Sequence, residues 1–154
     1  RRQRQMCIRD SPDAIATYGW SYGGYMTLKM LQAHPGVFAA GISGAPVTDW
    51  ALYDTHYTER YMGDPTRDAA AYAASSALPD AAKTSDPLLL MHGMADDNVF
   101  LDNATAFAAR MQAANKPFEM MLYPGKAHGA VRDIHPWTTI LDFLDRHVKK
   151  PAAK

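Results

Sequence analysis

A serine set among glycines is the feature of this chain that most clearly indicates chemistry. The run Gly19-Trp20-Ser21-Tyr22-Gly23-Gly24 has the pattern of a nucleophile elbow, a sharp strand-to-helix turn that presents a reactive serine. Because such a turn is strained, we expect that a Cβ at Gly19 or at Gly23 would collide with its surroundings. Ser21 would then lie at a helix N-terminus, where unpaired N–H groups favour the negative charge of a tetrahedral intermediate.

Two adjacent carboxylates could assist this serine. A serine hydroxyl is a weak nucleophile that needs a base, and the base needs an acid to orient it. In enzymes built on this elbow, the acid follows the serine along the chain and the histidine comes last. Asp96 and Asp97 follow an apolar run that ends in Gly93. Spacing does not choose between them, and two solvent-exposed loop acids are the alternative interpretation.

Order along the chain selects His128 as the candidate base among six histidines. It follows an apolar run and the turn Pro124-Gly125, and it precedes the last predicted helix. His92 also ends an apolar run, but it precedes the acids and is therefore in the wrong order. The remaining histidines belong to predicted helices or their ends: His34, His56, His135 and His147.

The elements that must position these residues alternate along the chain. Apolar runs and helix-like stretches follow one another in the βαβ pattern of a parallel sheet flanked by helices, an α/β fold. We expect strands at 14–18, 37–43, 87–92 and 118–123, and helices at 22–33, 50–61, 101–114 and 134–149. Residues 62–86 read as an irregular connection with one short Ala-rich helix.

Two of the predicted helices have further signals in their sequences. In the first, Tyr25, Leu28 and either Leu31 or Met30 have the spacing of a buried stripe. In the third, Asp102 and Asn103 stand at the start, where acidic and capping side chains are favoured.

Composition narrows the classes of partner. The 154 residues correspond to about one domain, and 16 basic residues balance 16 acidic ones, so bulk charge gives no reason to expect a nucleic-acid partner. Cys7 is the single cysteine, and no apolar run approaches the roughly 20 residues of a membrane span. The sequence has no H-E-x-x-H, phosphate loop or G-x-G-x-x-G, so we predict neither a metal nor another cofactor.

The two ends of the chain fit the pattern poorly. Residues 1–11 are polar and basic, and we interpret them as a disordered head or as sequence that is not native. The second interpretation arises because residues 5–11 resemble translated adaptor sequence. We expect residues 12–149 to form a partial catalytic domain and residues 150–154 to be a frayed tail.

With these residues in view, the chain resembles the prolyl oligopeptidase family, and within it the dipeptidyl peptidase IV branch. The matching stretches are GWSYGGYMT at 19–27, APVTDWALYDTHYTERYMGDP at 45–65, HGMADDNV at 92–99 and AHG at 127–129. The resemblance implies the C-terminal half of an α/β-hydrolase domain in a serine peptidase, one that releases N-terminal dipeptides with proline or alanine second. It implies Ser21 as nucleophile, Asp96 as triad acid, His128 as base and the Tyr22 N–H as an oxyanion donor.

The same resemblance implies a binding pocket for the substrate. The pocket for the residue before the cleaved bond would be formed by Tyr22, Val47, Trp50, Tyr53, Tyr57 and Val99. Asn98 would contact a substrate carbonyl. An alternative explanation of Trp50, Tyr53 and Tyr57 is an amphipathic helix that packs on the core.

Parts of the family's pattern have no counterpart in this sequence. The family's β-propeller, the first part of its hydrolase domain, its second oxyanion donor and its acidic pair for the substrate amine are all missing. We therefore expect a sheet with an uncovered edge. An esterase or acyl-peptide hydrolase on the same fold, and a non-catalytic fragment, are the rival interpretations. A homodimer, and export or a periplasmic location of the parent protein, are open hypotheses.

Overall fold

A parallel four-stranded sheet forms the centre of the molecule. The computed structural model describes residues 14–148, so the interpretations of the head at 1–11 and the tail at 150–154 lie outside the described residues. The strands are β1 (Ala16–Trp20), β2 (Ala40–Gly44), β3 (Leu88–Gly93) and β4 (Glu119–Tyr123). They pair in chain order and all pairs are parallel. The predicted parallel sheet flanked by helices is confirmed.

Within residues 14–148, five α-helices and three single turns of 3₁₀-helix connect or follow the strands. The α-helices are α1 (Tyr22–Ala33), α2 (Thr55–Met62), α3 (Ala69–Ser75), α4 (Asp102–Ala113) and α5 (Ile134–His147). The 3₁₀ turns are Trp50–Leu52, Ala81–Lys83 and Ala130–Arg132. The predicted buried stripe of α1 is confirmed, and it runs through Tyr25, Leu28 and Leu31.

The helices cover both faces of the sheet. On one face, α1 and α4 pack on β3, and the shared core includes Leu28, Leu90 and Phe107. On the other face, α5 contributes Ile140 and Phe143 to a second core. Because β3 is buried on both faces, its sequence is a continuous apolar run instead of an alternating pattern.

One edge of the sheet is uncovered within residues 14–148. In that part of the chain β1 pairs with β2 only, and its other side has no neighbouring strand. Tyr18 on β1 is 42% exposed and contacts the ring of Trp137 on α5 at 5.6 Å between centroids. The expected open edge is therefore present in the described structure.

The predicted helix at 50–61 is only partly correct, because α2 covers its second half alone. The chain forms a 3₁₀ turn at Trp50–Leu52 and then runs extended through Tyr53 and Asp54. Asp54 caps α2, since its Oδ1 accepts the N–H of Tyr57 at 2.8 Å. A side chain that accepts this bond fixes the helix start at Thr55 and separates the two short helices.

The predicted strand at 37–43 begins too early. Gly36 adopts φ 82, and the N–H of Val37 donates to the carbonyl of His34 in a turn. Val37 is 53% exposed, so the apolar run starts outside the sheet. The strand itself begins at Ala40. Similarly, β1 lies two residues beyond the predicted 14–18, directly against the serine.

Candidate active site

Ser21, Asp96 and His128 each follow the end of a strand. Ser21 comes directly after β1, Asp96 comes three residues after β3 and His128 comes five residues after β4. Because all strands are parallel, their carboxyl ends lie along the same border of the sheet, which runs across all four strands. Ligand and catalytic residues of open α/β sheets lie at this border.

Ser21 has the strained backbone of a nucleophile elbow. Its φ of 60 and ψ of −120 lie outside the regions that non-glycine residues favour. Its N–H donates to the carbonyl of Gly44 at 2.8 Å, which ties the turn to β2. The Ser21 side chain does not cap α1. Tyr22 is the first residue of α1, where N–H groups lack intrahelical partners.

Only one of the two expected glycine constraints is present. A Cβ at Gly19 would overlap the carbonyl of Gly23, as predicted. The prediction for Gly23 is wrong, because a Cβ there would have nothing within 4 Å. The second close approach is at Gly24, where a Cβ would lie 2.6 Å from the carbonyl oxygen of Gly44. Packing of α1 against the end of β2 therefore imposes this constraint.

Asp96 is buried, and both of its carboxylate oxygens have polar partners within the protein. Its Oδ1 accepts the N–H groups of Asn98 and Val99, both at 3.0 Å. Its Oδ2 lies 2.8 Å from Nδ1 of His128. Asp97, the alternative that spacing left open, is exposed. The structure therefore brings Asp96 to His128, with the other carboxylate oxygen held by backbone donors.

The loop that carries His128 is tied to both neighbouring segments. The indole N–H of Trp20 donates to the backbone carbonyl of His128 at 2.9 Å. The N–H of Ala95 donates to the carbonyl of Lys126 at 3.0 Å, which joins the loop after β3 to the loop after β4. The His128 side chain itself is partly exposed. The backbone of the loop is thus held in place, while the His128 side chain remains partly accessible to solvent.

His92 is a site residue that the sequence analysis missed. Its side chain is fully buried, with Nε2 2.8 Å from the carbonyl oxygen of Val99 and 3.4 Å from Oδ2 of Asp96. Burial lowers the pKa of His92, and the hydrogen bond to Val99 opposes this shift less strongly. Chain order excluded His92 as the base. An imidazole within the apolar run of β3 was the signal that could have identified it.

Aromatic side chains form a small cavity beside the serine. The cavity has a volume of about 130 Å³ and is lined by Ser21, Tyr22, Val47, Trp50, Tyr53 and Tyr57. Trp50 is 6% exposed and stacks on Tyr57, which is 41% exposed, at 6.0 Å between ring centroids. Trp50 therefore packs on the core and also lines the cavity, and Tyr57 lines the cavity with a more exposed ring.

Two of the residues implied as substrate contacts lie off this cavity. Val99 is fully buried in the apolar cluster beneath Trp50, so it supports the pocket from below instead of lining it. Asn98 accepts the hydroxyl of Tyr53 through Oδ1 at 2.8 Å. The residue implied to contact substrate is therefore also linked to a pocket wall.

Asn103 holds the segment that carries the pocket wall. The predicted helix-capping role of Asn103 is wrong: Leu101 is the N-cap residue of α4, and that cap has no side-chain hydrogen bond. Instead, Oδ1 of Asn103 accepts the N–H of Thr48 at 2.9 Å, and the Thr48 hydroxyl donates to the carbonyl of Asn103 at 2.7 Å. Since Asn103 is fully buried, these bonds anchor the loop between Val47 and Trp50.

A second, larger cavity lies beside the first. Its volume is about 390 Å³, and it shares three of its lining residues, Tyr22, Trp50 and Tyr57, with the smaller cavity. Its other lining residues are Tyr25, Thr58, Tyr61, Met62 and Ser75. The shared rings therefore form a common wall.

Residues 14–148 contain neither a candidate membrane span nor a candidate metal site. In this range, no helix is both long enough and apolar enough to cross a bilayer. The histidine and acidic side chains of the same range form no group of three that could hold a metal ion.

This chain is similar in sequence and structure to proteins that are named dipeptidyl peptidases. Residues 9–151 match the prolyl oligopeptidase family. Dipeptidyl peptidase 8 of Mus musculus is 41% identical over 119 residues, covering 75% of this chain and 13% of that protein. Dipeptidyl peptidase 4 of Sus scrofa is 39% identical over 143 residues, covering 89% of this chain and 19% of that protein.

A solved structure gives the same result. The crystal structure of Porphyromonas gingivalis dipeptidyl peptidase 4 superposes with a TM-score of 0.86 and 42% sequence identity. The match covers 89% of this chain and 20% of that one. The chain therefore spans about a fifth or less of the length of these relatives.

Proposed function

This chain belongs to the prolyl oligopeptidase family, and we propose that it carries the catalytic triad of a serine peptidase that releases dipeptides from the N-termini of peptides. The relatives it matches are named dipeptidyl peptidases, and they are several times longer. We further propose that the parent protein contains the rest of the catalytic domain and a β-propeller. Peptides are the proposed substrates.

The proposal depends most on the contact between Asp96 and His128. Because Nδ1 of His128 lies 2.8 Å from Oδ2 of Asp96, the ring presents its other nitrogen, Nε2, for proton transfer. The carboxylate orients the ring and stabilises the imidazolium that forms during the reaction. Two backbone N–H groups on the other oxygen of Asp96 keep the carboxylate from rotating.

The proposed reaction uses Ser21, His128 and the start of α1. Ser21 Oγ attacks the carbonyl carbon of the peptide bond after the second residue, and Nε2 of His128 takes the hydroxyl proton. The N–H of Tyr22, at the start of α1, donates to the oxyanion. The C–N bond then breaks, and His128 gives its proton to the leaving amine. Water, activated by His128, hydrolyses the dipeptidyl ester and regenerates the Ser21 hydroxyl.

The cavity beside Ser21 supports a preference for proline before the cleaved bond. Its walls are aromatic and aliphatic, and none of the lining residues carries a charge. The rigid ring of proline loses little conformational entropy on entering such a slot. A lysine side chain would bury an unpaired charge at a cost of several kcal/mol. Alanine fits the same space with fewer contacts.

Two measurements on the full-length enzyme test the proposal. A fluorophosphonate probe should label Ser21, as located by peptide mapping, and the Ser21→Ala variant is the matched control. Values of kcat/KM for chromogenic Gly-Pro, Gly-Ala, Gly-Leu and Gly-Lys substrates should be highest for Gly-Pro and lowest for Gly-Lys. An unlabelled Ser21 would contradict the triad.

The same measurements separate the rival functions. Turnover of short esters without turnover of the dipeptide substrates would instead indicate an esterase on this fold. Equal turnover of Gly-Lys and Gly-Pro would remove the pocket assignment and leave a general serine hydrolase.

A further inference from the structure

We propose that His92 is a positioning residue that clamps the loop at residues 96–99 and so holds the Asp96 carboxylate in the orientation that His128 requires. The importance of this orientation for catalysis rests on the proposed function. The clamp itself depends only on the contacts among His92, Asp96 and Val99. It assigns a role to a histidine that the triad does not use.

A closed set of short contacts carries the inference. Nε2 of His92 lies 2.8 Å from the carbonyl oxygen of Val99. The N–H of Val99 donates to Oδ1 of Asp96 at 3.0 Å, and Oδ2 of Asp96 lies 3.4 Å from the same Nε2. Both backbone polar groups of Val99 are thus held, the carbonyl by His92 and the N–H by Asp96. A shift of its carbonyl would also move the N–H that fixes the carboxylate.

The protonation of His92 follows from its partners. A backbone carbonyl can only accept, so Nε2 must carry the hydrogen that is donated to Val99. The titratable groups that act on His92 are Asp96 and, beyond it, His128. Burial lowers the pKa of His92, a direction that favours the neutral ring. The ring therefore acts on Asp96 through Val99, whose carbonyl accepts from His92 and whose N–H donates to the carboxylate.

Packing alone does not account for a histidine at this position. Leu88, Leu90 and His92 are alternate residues of β3, and both leucines belong to the core beneath α1 and α4. A buried polar group is costly unless it is hydrogen-bonded. Nδ1 of His92 is buried and has no partner in the described residues. An apolar side chain would avoid that cost, so the benefit must come from the contacts of Nε2.

Two amide variants of the full-length enzyme test the inference. In His92→Gln the side-chain NH₂ reaches the place of Nε2, whereas in His92→Asn it reaches only the place of Nδ1. Both variants are polar and similar in size. We expect kcat on a Gly-Pro substrate to be about tenfold lower in His92→Asn than in His92→Gln, a loss corresponding to one buried hydrogen bond. KM should differ little, because His92 lies behind the carboxylate.

Hydrogen–deuterium exchange supplies a readout that does not need activity. The segment at residues 94–101 should exchange faster in His92→Asn than in His92→Gln or the unmodified enzyme. If the unmodified enzyme cleaves no dipeptide substrate, the proposed function fails, and the exchange data still decide whether His92 clamps the loop.

A matched core variant separates the clamp from general destabilisation. Leu90→Ala removes a fully buried side chain from the same face of β3 without touching residues 96–99. It should lower the melting temperature while leaving kcat and the exchange of residues 94–101 unchanged. Equal effects in the two His92 variants, or the same effects in Leu90→Ala, would overturn the inference.

Discussion

The indole N–H of Trp20 donates to the backbone carbonyl of His128 at 2.9 Å. Trp20 ends β1 and His128 follows β4, and these two strands form opposite edges of the sheet. One hydrogen bond therefore joins the strand of the proposed nucleophile to the loop of the proposed base. The indole can cross β2 because Gly44 has no side chain there, and a Cβ at Gly44 would overlap the ring.

Trp20→Phe tests this connection. The substitution keeps an aromatic ring over Gly44 but removes the donor to His128. We expect kcat/KM to fall about fivefold, the effect of one hydrogen bond of about 1 kcal/mol. Trp137→Phe, on the exposed surface of α5, is the control and should leave kcat/KM unchanged. A Trp20→Phe enzyme with full activity would show that the base loop does not need this bond.

Ser21→Ala should abolish turnover. The expected loss in kcat is on the order of 10⁴-fold or more, because the residue supplies the attacking oxygen. Ser85→Ala removes an exposed hydroxyl just before β3, at the opposite end of the sheet, and should have no effect. Steady-state kinetics on a Gly-Pro substrate measure both. Substantial activity in Ser21→Ala would remove this serine from the mechanism.

The adjacent residues Asp96 and Asp97 allow a matched pair of variants. Asp96→Asn should lower kcat by about 10⁴-fold, because an amide cannot hold His128 in the required tautomer. Asp97→Asn changes an exposed side chain by the same chemistry and should cost far less. Comparison of the two kcat values checks the assignment. The reverse order of effects would mean that Asp97 is the triad acid.

Tyr57 forms part of the wall between the two aromatic cavities, so its size should control specificity. Tyr57→Ala would join the cavities of about 130 and 390 Å³. We expect the kcat/KM ratio of Gly-Pro to Gly-Leu substrates to fall, because a wider slot no longer matches the proline ring. Tyr61→Ala, which lines only the larger cavity, should leave that ratio unchanged. An unaltered ratio in Tyr57→Ala would contradict the pocket assignment.

Burial of His92 predicts a loss of stability in acid. Because burial lowers the pKa of folded His92 below its ordinary 6.5, the unfolded chain takes up a proton first as the pH falls. The stabilisation is therefore present above about pH 6.5 and is lost as the pH falls toward the lowered folded value. His92→Gln should make the decline in melting temperature between pH 8 and pH 5 shallower. The exposed His56→Gln should decline as the unmodified enzyme does. Identical slopes in all three proteins would refute the prediction.

Local sequence was sufficient for the type and order of most elements and for the order of the candidate residues. The elbow, the continuous apolar run of β3 and the spacing of Tyr25, Leu28 and Leu31 each depend on one short segment. Periodicity and turn chemistry report directly on such segments, so the parallel sheet and its helices could be predicted. The split of the predicted helix at Asp54 was missed because a single capping side chain outweighed the helical pattern.

Contacts between segments were decided by the tertiary structure alone. Spacing could not separate Asp96 from Asp97, whereas packing of the loop after β3 against the loop after β4 buries one and exposes the other. The contacts of His92 with Val99 and of Asn103 with Thr48 likewise join residues whose types suggested other roles. A polar side chain acquires its partner only when the elements around it exclude water, and the sequence of one segment carries no record of which neighbours do so.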